Sequence, residues 1–323
     1  MTPTVFRSLA EARGRFGPCA LAIGNFDGVH NGHQALLEAS VRFAKSHRLH
    51  AAVLTFDPHP AAVVAPERLP ESICTLDRRI RLLEDGGTGR ILVLPFTTEV
   101  AHMTPREFVS QILVDALETK AVFVGENFRF GHRQSGTTET LRDLGVEFGF
   151  EWQFLDPVTV RGEIVSSSAI RRYLAAGNIP RAGRLLNRCF FLEGPVVRGR
   201  GIGAKQTVPT LNLRPVPGQI VPHGIYVTET TEPRTRRRWP SVTSCGTNPT
   251  FGAGELTIET FLLTPLAGES PDEIQVEFRH FLRREERFPT AAALKAQILK
   301  DVSRAQAYWR RAAKLGHPAA SIY

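Results

Sequence analysis

Apolar and polar positions in the first half of the chain alternate between short apolar runs and longer segments with helical spacing. The apolar runs predict four buried strands, at residues 20–24, 51–56, 91–94 and 122–125. The segments between them carry apolar residues three and four apart and predict helices at 34–44, 76–84 and 105–117. Strands separated by helices in this way are typical of a parallel sheet covered on both faces.

The pattern changes in the second half. Two short predicted helices, 168–176 and 179–186, are followed by β-prone segments at 196–197, 225–229, 242–244, 256–262 and 274–278. Short, regularly spaced strands predict a small antiparallel barrel. Ala, Lys, Gln and Arg dominate the segment Ala291–Lys314 and predict a terminal helix. We therefore expect an α/β domain at 1–187 and a β-barrel domain with a C-terminal helix at 188–323.

Composition narrows the class of protein. A chain of 323 residues is too long for one ordinary core, and its hydrophobic fraction of 42% is typical of a soluble globular protein. The four cysteines lie far apart without CxxC or CxxH spacing, which argues against a disulfide framework and a zinc site. The N-terminal segment has no apolar core, and no apolar stretch is long enough to span a bilayer. We expect a cytoplasmic protein that does not bind membranes.

The formal charge of +8 is compatible with nucleic acid, an acidic surface or small polyanionic substrates. The densest basic run, Arg234–Arg238, is flanked by prolines and is typical of a solvated hairpin loop. No helix-turn-helix, RNA-recognition or zinc-finger motif is present. We expect small-molecule partners and no nucleic acid, and a basic nucleic-acid-binding protein is the alternative from another class.

Residues 24–33, Gly-Asn-Phe-Asp-Gly-Val-His-Asn-Gly-His, link the first predicted strand to the first helix. A helix start offers unpaired amides and a positive dipole end, which suit phosphate. His30 and His33 are three residues apart, so both can project from one side and donate hydrogen bonds to phosphate oxygens. Taken alone, the two rings could instead cap and pack the helix. A metal site is less favoured because spacing reveals no third ligand.

Two further segments of the first half carry candidate chemistry. Three serines at 166–168 can cap a helix, and Arg171 lies one turn further, so together they could clamp a triphosphate. An ordinary serine cap is the alternative. Asn127, Phe128 and Phe130 follow the fourth predicted strand, and core packing is the alternative role for the two aromatic rings.

The barrel half contains a glycine-rich segment at 194–203, which by itself is a weak signal for phosphate binding. Thr210 and Asn212 are two apart on an extended segment, so they face the same way and offer neutral oxygen ligands that suit Mg²⁺. Glu259 lies between Ile258 and Thr260 on a predicted strand and can point away from its apolar neighbours.

These motifs resemble those of the bacterial bifunctional riboflavin kinase/FMN adenylyltransferase (FAD synthetase) family. Residues 24–33 are similar to the HxGH signature of nucleotidyltransferases, and similar family motifs occur at 55–60, 125–131 and 165–171. In the barrel half the resemblance covers the PTAN segment at 209–212, the segment 246–262 and the closing segment 274–289. Three departures stand out: Ser168 replaces Thr, Leu211 replaces Ala, and Thr207-Val208 replaces the Gly-containing pair before Pro-Thr.

The resemblance implies a Rossmann-like nucleotidyltransferase domain followed by a riboflavin kinase barrel. It implies ATP-dependent phosphorylation of riboflavin to FMN and adenylylation of FMN by ATP to FAD and pyrophosphate, with Mg²⁺. Four residues are predicted to be catalytic: Glu259 as general base, with His30, His33 and Arg171 stabilising phosphates. The predicted ligand contacts are Gly24, Asn25, Phe26, Asp27, Gly28, Ser166, Ser167 and Ser168 for the adenylyltransferase ATP; Asn127, Phe128 and Phe130 for its flavin; Gly199, Gly201, Gly203 and Pro209 for the kinase ATP; and Thr210 and Asn212 for the metal.

The departures at Thr207-Val208 and Leu211 motivate a second enzyme hypothesis, an FMN adenylyltransferase with a kinase-inactive, flavin-binding barrel. Retention of Thr210, Asn212 and Glu259 argues against it. The sequence does not choose between a monomer and a weak homo-oligomer.

Overall fold

The computed structural model describes residues 4–197, 210–247, 256–266 and 268–316. The chain divides into two compact units, Met1–Ser167 and Ser168–Tyr323. The two short helices that we assigned to the end of the first domain lie in the second unit, where Gly177, between them, approaches the rings of Tyr226 and Phe281. A domain boundary near Asn187 stays a prediction.

A six-stranded parallel sheet forms the centre of the first unit, with the strand order β1-β4-β3-β2-β5-β6. Its strands are β1 (Thr4–Phe6), β2 (Cys19–Ile23), β3 (His50–Phe56), β4 (Arg90–Leu94), β5 (Thr119–Gly125) and β6 (Glu151–Leu155). All five residues of β2 are buried, as expected for a strand covered on both faces. β2 lies between β3 and β5, so the strand order reverses there, and ligands of such sheets bind at the carboxyl ends beside this point.

Helices cover both faces of this sheet. They are α1 (Leu9–Ala12), α2 (Asn31–His47), α3 (Pro60–Val64), α4 (Leu76–Asp85), α5 (Thr98–His102), α6 (Pro105–Glu107) and α7 (Thr138–Phe148). Short 3₁₀ turns occupy Pro66–Arg68 and His132–Gln134, and a two-stranded hairpin follows, β7 (Thr159–Val160) with β8 (Glu163–Ile164). The helix predicted at 105–117 begins as α6 and continues as a π-helical segment, Phe108–Val114; apolar spacing does not distinguish these two helix types.

The second unit begins with α8 (Ser167–Ala175), whose first residue still belongs to the first unit, and α9 (Ile179–Leu186). A closed six-stranded barrel follows, in the order β10-β13-β12-β11-β14-β9. Its strands are β9 (Phe191–Val197), β10 (Thr210–Leu213), β11 (Gly224–Thr231), β12 (Arg238–Thr247), β13 (Leu256–Leu262) and β14 (Glu273–Arg283). The terminal helix is α10 (Ala291–Lys314). The predicted fold, a parallel α/β domain and an antiparallel barrel with a terminal helix, is confirmed.

The barrel strands separate two kinds of surface. Thr228, Ser241, Thr243 and Thr260 are fully buried in alternate strand positions, and their hydroxyls form a continuous chain of hydrogen bonds of 2.7–2.9 Å. The neighbouring positions face outwards, where an apolar cluster including Val227, Val242 and Trp309 packs α10 against the barrel. The outer surface of the strands therefore contacts α10 in one region, and its other outward-facing positions can form a binding site.

A buried ion pair fixes the end of β14 to α10. Arg283 Nη2 lies 2.8 Å from Asp301 Oδ2, and the two side chains are 14% and 3% exposed. Gln297 Nε2 donates a further hydrogen bond to Asp301 at 3.0 Å. The segment after Arg283 is therefore held at a defined place beside the barrel.

No helix among the described residues is long and apolar enough to cross a membrane.

Candidate active sites

The first candidate site is the turn between β2 and α2, at the carboxyl edge of the sheet. Phe26, Gly28 and Val29 have positive φ angles of 50°, 76° and 36°. A β-branched residue such as Val29 rarely adopts this conformation, and such strain is concentrated at functional sites. A side chain at residue 28 would collide with Ile73. Glycine is therefore required there both by this close contact and by the positive φ angle. The turn is held in an unusual conformation by its surroundings.

His30 caps the N-terminus of α2: its Nδ1 accepts a hydrogen bond from the backbone N–H of His33 at 3.3 Å. Because Nδ1 accepts, the proton of the neutral ring lies on Nε2, which can act as a donor. The rings of His30 and His33 stack at 3.7 Å between centroids, and the buried ring of Phe26 packs against His33 at 5.0 Å. The structure thus brings both predicted histidines together at the helix start.

Two neighbouring segments hold the turn by hydrogen bonds: the end of β3, and the residues before α4. The buried carboxylate of Asp27 accepts hydrogen bonds from the backbone N–H groups of Ile73 and Cys74, 2.9 Å and 3.3 Å from Oδ1. Thr55 donates its hydroxyl to the carbonyl of Asn25 at 3.1 Å. Phe26 and Asp27 therefore help to hold the turn, and their contacts with ATP stay predictions. Gly24 and Asn25 are partly exposed.

The serine motif also reaches this turn. Ser167 donates its hydroxyl to the carbonyl of Asp27 at 3.1 Å, and Ser166 is partly exposed immediately before it. Ser168 and Arg171 lie on α8 in the second unit. Of the family motif at 55–60, His59 joins the site: its Nε2 lies 3.2 Å from the side-chain nitrogen of Asn25.

The predicted flavin contacts follow β5, the neighbour of β2. Asn127 is exposed, Phe128 is partly buried, and Phe130 is only 6% exposed in the core. The rings of Phe128 and Phe130 stack at 5.4 Å, and Phe130 also packs on Phe108. Phe130 therefore packs in the core, the alternative left open by the sequence. Asn127, Phe128 and Phe130 stay predictions as flavin contacts.

The second candidate site lies on the outer surface of the barrel. Asn212 on β10 is paired with Glu259 on β13, and Glu259 is paired with Ser244 on β12. Directly opposed residues of antiparallel strands share a face, so these side chains project together. Thr210 joins them because it lies two residues from Asn212. Burial raises the pKa of the Glu259 carboxyl above its usual value.

The Thr210 Oγ1 atom is buried and has no hydrogen-bond partner among the residues that the structure describes. A buried hydroxyl without a partner is costly, which makes this oxygen a suitable cation ligand. No group of three or more His, Cys, Asp or Glu side chains that could hold a metal occurs within the described ranges. Together with the amide oxygen of Asn212, Thr210 fits a cation held largely by substrate phosphates. The predicted kinase ATP contacts Gly199, Gly201, Gly203 and Pro209 lie outside the described residues.

Sequence reasoning missed Glu285, which follows β14. Its carboxylate lies directly against the α-carbon of Gly246, and Gly246 is paired with Thr257, two residues before Glu259. Partial burial raises the pKa of the Glu285 carboxyl, and the negative charge of Glu259 adds to this effect. In the sequence, Glu285 could be noticed only as an acidic residue of the segment 283–289. Its proximity to Glu259 depends on the packing of the barrel.

Gly246→Ala tests this arrangement. A methyl group at residue 246 would overlap the Glu285 carboxylate, and because that side chain is flexible it should be displaced without unfolding the barrel. We expect the predicted riboflavin kinase activity to fall about 10- to 100-fold, since small misplacements at a reaction centre have effects of this size. Gly194→Ala on β9, where the nearest atom to an added Cβ is at 3.5 Å, is the control. Equal rates of this predicted reaction in the two variants would contradict the arrangement.

A histidine-bearing strand–turn–helix at the switch point of a parallel sheet, with an oxygen-rich site on a separate barrel, defines a two-domain nucleotide-dependent transferase. The family model for FAD synthetase matches residues 14–169, and that for riboflavin kinase matches residues 186–309. The protein named bifunctional riboflavin kinase/FMN adenylyltransferase from Escherichia coli strain K12 is 34% identical, over 88% of this chain and 90% of its own length. The chain therefore belongs to the bifunctional riboflavin kinase/FMN adenylyltransferase family.

Two further comparisons also cover nearly the whole length of both chains. The protein of the same name from Pseudomonas fluorescens is also 34% identical, over 93% of this chain and 96% of its own length. The crystal structure of a protein described as a macrolide-efflux protein from Streptococcus pneumoniae superposes with a TM-score of 0.82 at 24% identity, covering 95% of this chain and 99% of that one. At that identity the likeness supports the fold alone.

Proposed function

We propose that this chain phosphorylates riboflavin to FMN at the barrel and adenylylates FMN to FAD at the parallel sheet, using ATP in both steps. The observation that carries the proposal is that the histidine turn lies in the first unit, within the FAD synthetase match, and Glu259 lies in the second unit, within the riboflavin kinase match. The bifunctional relatives support both activities over the alternative of an adenylyltransferase with an inactive barrel.

In the adenylylation step, a phosphate oxygen of FMN attacks the α-phosphorus of ATP and expels pyrophosphate. The attacking group is already an anion, so the protein has to align the reactants and neutralise charge. His30, through Nε2–H, and His33 are the proposed donors to phosphate oxygens in the transition state. Arg171 is the proposed clamp on the departing phosphates. The amides at the start of α2 and Ser166–Ser168 are proposed to hold the ATP.

In the kinase step, Glu259 is the proposed base that accepts the proton of the terminal ribityl hydroxyl as that oxygen attacks the γ-phosphorus of ATP. The bond from the γ-phosphorus to the bridging oxygen breaks, and ADP leaves. A raised pKa suits this role, because it brings the base closer to neutral pH. Thr210 and Asn212 would hold Mg²⁺ by their side-chain oxygens. Mg²⁺, when bound, would neutralise charge that develops on the transferring phosphoryl group.

Asn212→Ala and Thr210→Val test the metal assignment. Each variant removes one oxygen ligand, so we expect the Mg²⁺ concentration for half-maximal kinase activity to rise about tenfold. Adenylylation of added FMN, assayed with the same preparations, should keep its Mg²⁺ dependence. If both variants have the Mg²⁺ requirement of the original chain, these residues are not the ligands.

The remaining proposals concern the setting of the enzyme. We propose a cytoplasmic enzyme whose partners are riboflavin, FMN and ATP, with no nucleic acid or membrane partner. In the basic loop, Arg237 lies 2.9 Å from Glu232 and packs over Trp239, which supports the interpretation as an ordinary hairpin. We propose a monomer or weak homo-oligomer, which a measurement of molecular mass in solution would distinguish. We also propose that the boundary between the two catalytic domains lies near Asn187.

The activity itself can be tested with each flavin supplied alone. Purified protein with ATP and Mg²⁺ should convert riboflavin to FMN, and FMN to FAD with release of pyrophosphate. If riboflavin remained unchanged while FMN became FAD, the barrel would lack kinase activity. If neither flavin reacted, the proposed function would be wrong.

A further inference from the structure

Arg79 is a buried cation that neither proposed reaction has used so far. It lies in the middle of α4, where only 6% of its surface is exposed, and the neighbouring buried positions of that helix, Ile80 and Leu83, are apolar. Charged residues are seldom buried to this degree unless they are paired.

The partners of Arg79 are neutral. Its Nη1 donates to the carbonyl of Phe56 at 3.1 Å and contacts the hydroxyl of Thr55 at 3.5 Å. Its Nε is buried with no hydrogen-bond partner, and within the described part of the chain Arg79 forms no ion pair. Asp27, the buried acid of the nearby turn, directs its carboxylate to backbone amides instead. The guanidinium is therefore an uncompensated positive charge.

An uncompensated buried charge opposes folding, because removal from water is costly and no carboxylate repays the cost. A charge is useful there only if something negative enters the same region, and the charge then acts over several ångströms because a buried field is weakly screened.

The place of Arg79 identifies that negative group. Phe56 ends β3, and Thr55, which the guanidinium contacts, donates its own hydroxyl to Asn25 in the turn of the adenylylation site. Arg79 thus lies behind the turn at the carboxyl edge of the sheet. The substrates expected at this edge, ATP and FMN, carry several phosphate charges, and further charge develops during transfer.

We propose that Arg79 is a positioning residue for adenylyl transfer: it holds the turn through Thr55 and supplies a fixed positive potential behind the phosphate site. The inference rests on the proposed function, but it adds to that site a residue from another helix, α4. Because the charge is retained at a cost in folding, its loss should affect activity and stability in opposite directions.

Arg79→Met, Arg79→Lys and Arg81→Met test this inference. Arg81 is an exposed cation on the same helix, so its replacement controls for the change in net charge. For each full-length variant, three quantities are measured: kcat and KM for FAD formation from FMN, the rate of FMN formation from riboflavin, and the thermal midpoint.

For Arg79→Met we expect kcat for FAD formation to fall about 10- to 100-fold, the usual range for groups that orient a site from behind. FMN formation should be unchanged, and the thermal midpoint should be equal to or above that of the original chain. Arg79→Lys should recover most of the lost rate, and Arg81→Met should behave as the original chain does.

Three results would overturn the inference: an unchanged adenylylation rate in Arg79→Met, a loss equal to that in Arg81→Met, or a lowered thermal midpoint. The last result would mean that the guanidinium stabilises the folded state. Failure of the proposed function would be distinguished from all three, because the original chain itself would then make no FAD from FMN.

Discussion

His30→Ala should lower the rate of FAD formation from FMN about 10³-fold, while FMN formation from riboflavin continues. The substitution removes the Nε2–H donor and also the Nδ1 acceptor that caps α2 and orients His33. Loss of one donor to a developing negative charge typically costs about 10²- to 10³-fold in kcat. Loss of the stacked partner of His33 should place the effect at the upper end of that range.

His47→Ala is the matched control, because His47 lies on the same helix, is exposed and stacks on Phe43 away from the turn. Its FAD formation should equal that of the original chain. A folded His30→Ala protein that loses both activities would contradict the assignment of the two reactions to separate sites. A folded variant that retains adenylylation would exclude His30 from the catalytic site.

Glu259→Gln should impair riboflavin phosphorylation and leave FAD formation intact, the reverse of the effect expected for His30→Ala. Glutamine preserves the size of the side chain on β13 but cannot accept the hydroxyl proton at any ordinary pH. General-base catalysis is worth about 10²- to 10⁴-fold, so riboflavin phosphorylation should fall by that factor. FAD formation from added FMN should persist.

The control is Glu273→Gln, at an exposed position of β14 outside the pairing that joins Asn212, Glu259 and Ser244. Equal losses in the two variants would point to a general effect of charge on the barrel. A normal kinase rate in Glu259→Gln would require a different base, and Glu285, whose pKa is raised partly by the negative charge of Glu259, would be the residue to test next.

Sequence patterns predicted the elements in which periodicity and burial coincide. Strand Leu256–Leu262 and helices Ile179–Leu186 and Ala291–Lys314 have the bounds that the pattern predicts. Helix α7 was missed, and it contains Gly145, a poor helix former. The structure explains this glycine, because a Cβ there would lie 2.7 Å from the ring of Trp152.

The candidate sites were predictable where the chemistry lies in one continuous segment. The turn with His30 and His33 and the strand with Glu259 are such segments. Contributions that depend on packing between distant segments were not predictable. Arg79 meets Thr55 and Phe56 only because α4 packs on β3, and Glu285 reaches Gly246 only after β14 has closed the barrel.

The most direct test of the two-step account is a labelling experiment on the unmodified chain. Riboflavin, Mg²⁺ and ATP labelled at the γ-phosphorus or, in a parallel reaction, at the α-phosphorus are incubated with the protein, and the flavins are separated over time. Two transfers predict FMN labelled only from γ-labelled ATP, followed by FAD labelled from both. The account would be contradicted if FAD carried no γ-label, or if no labelled flavin formed.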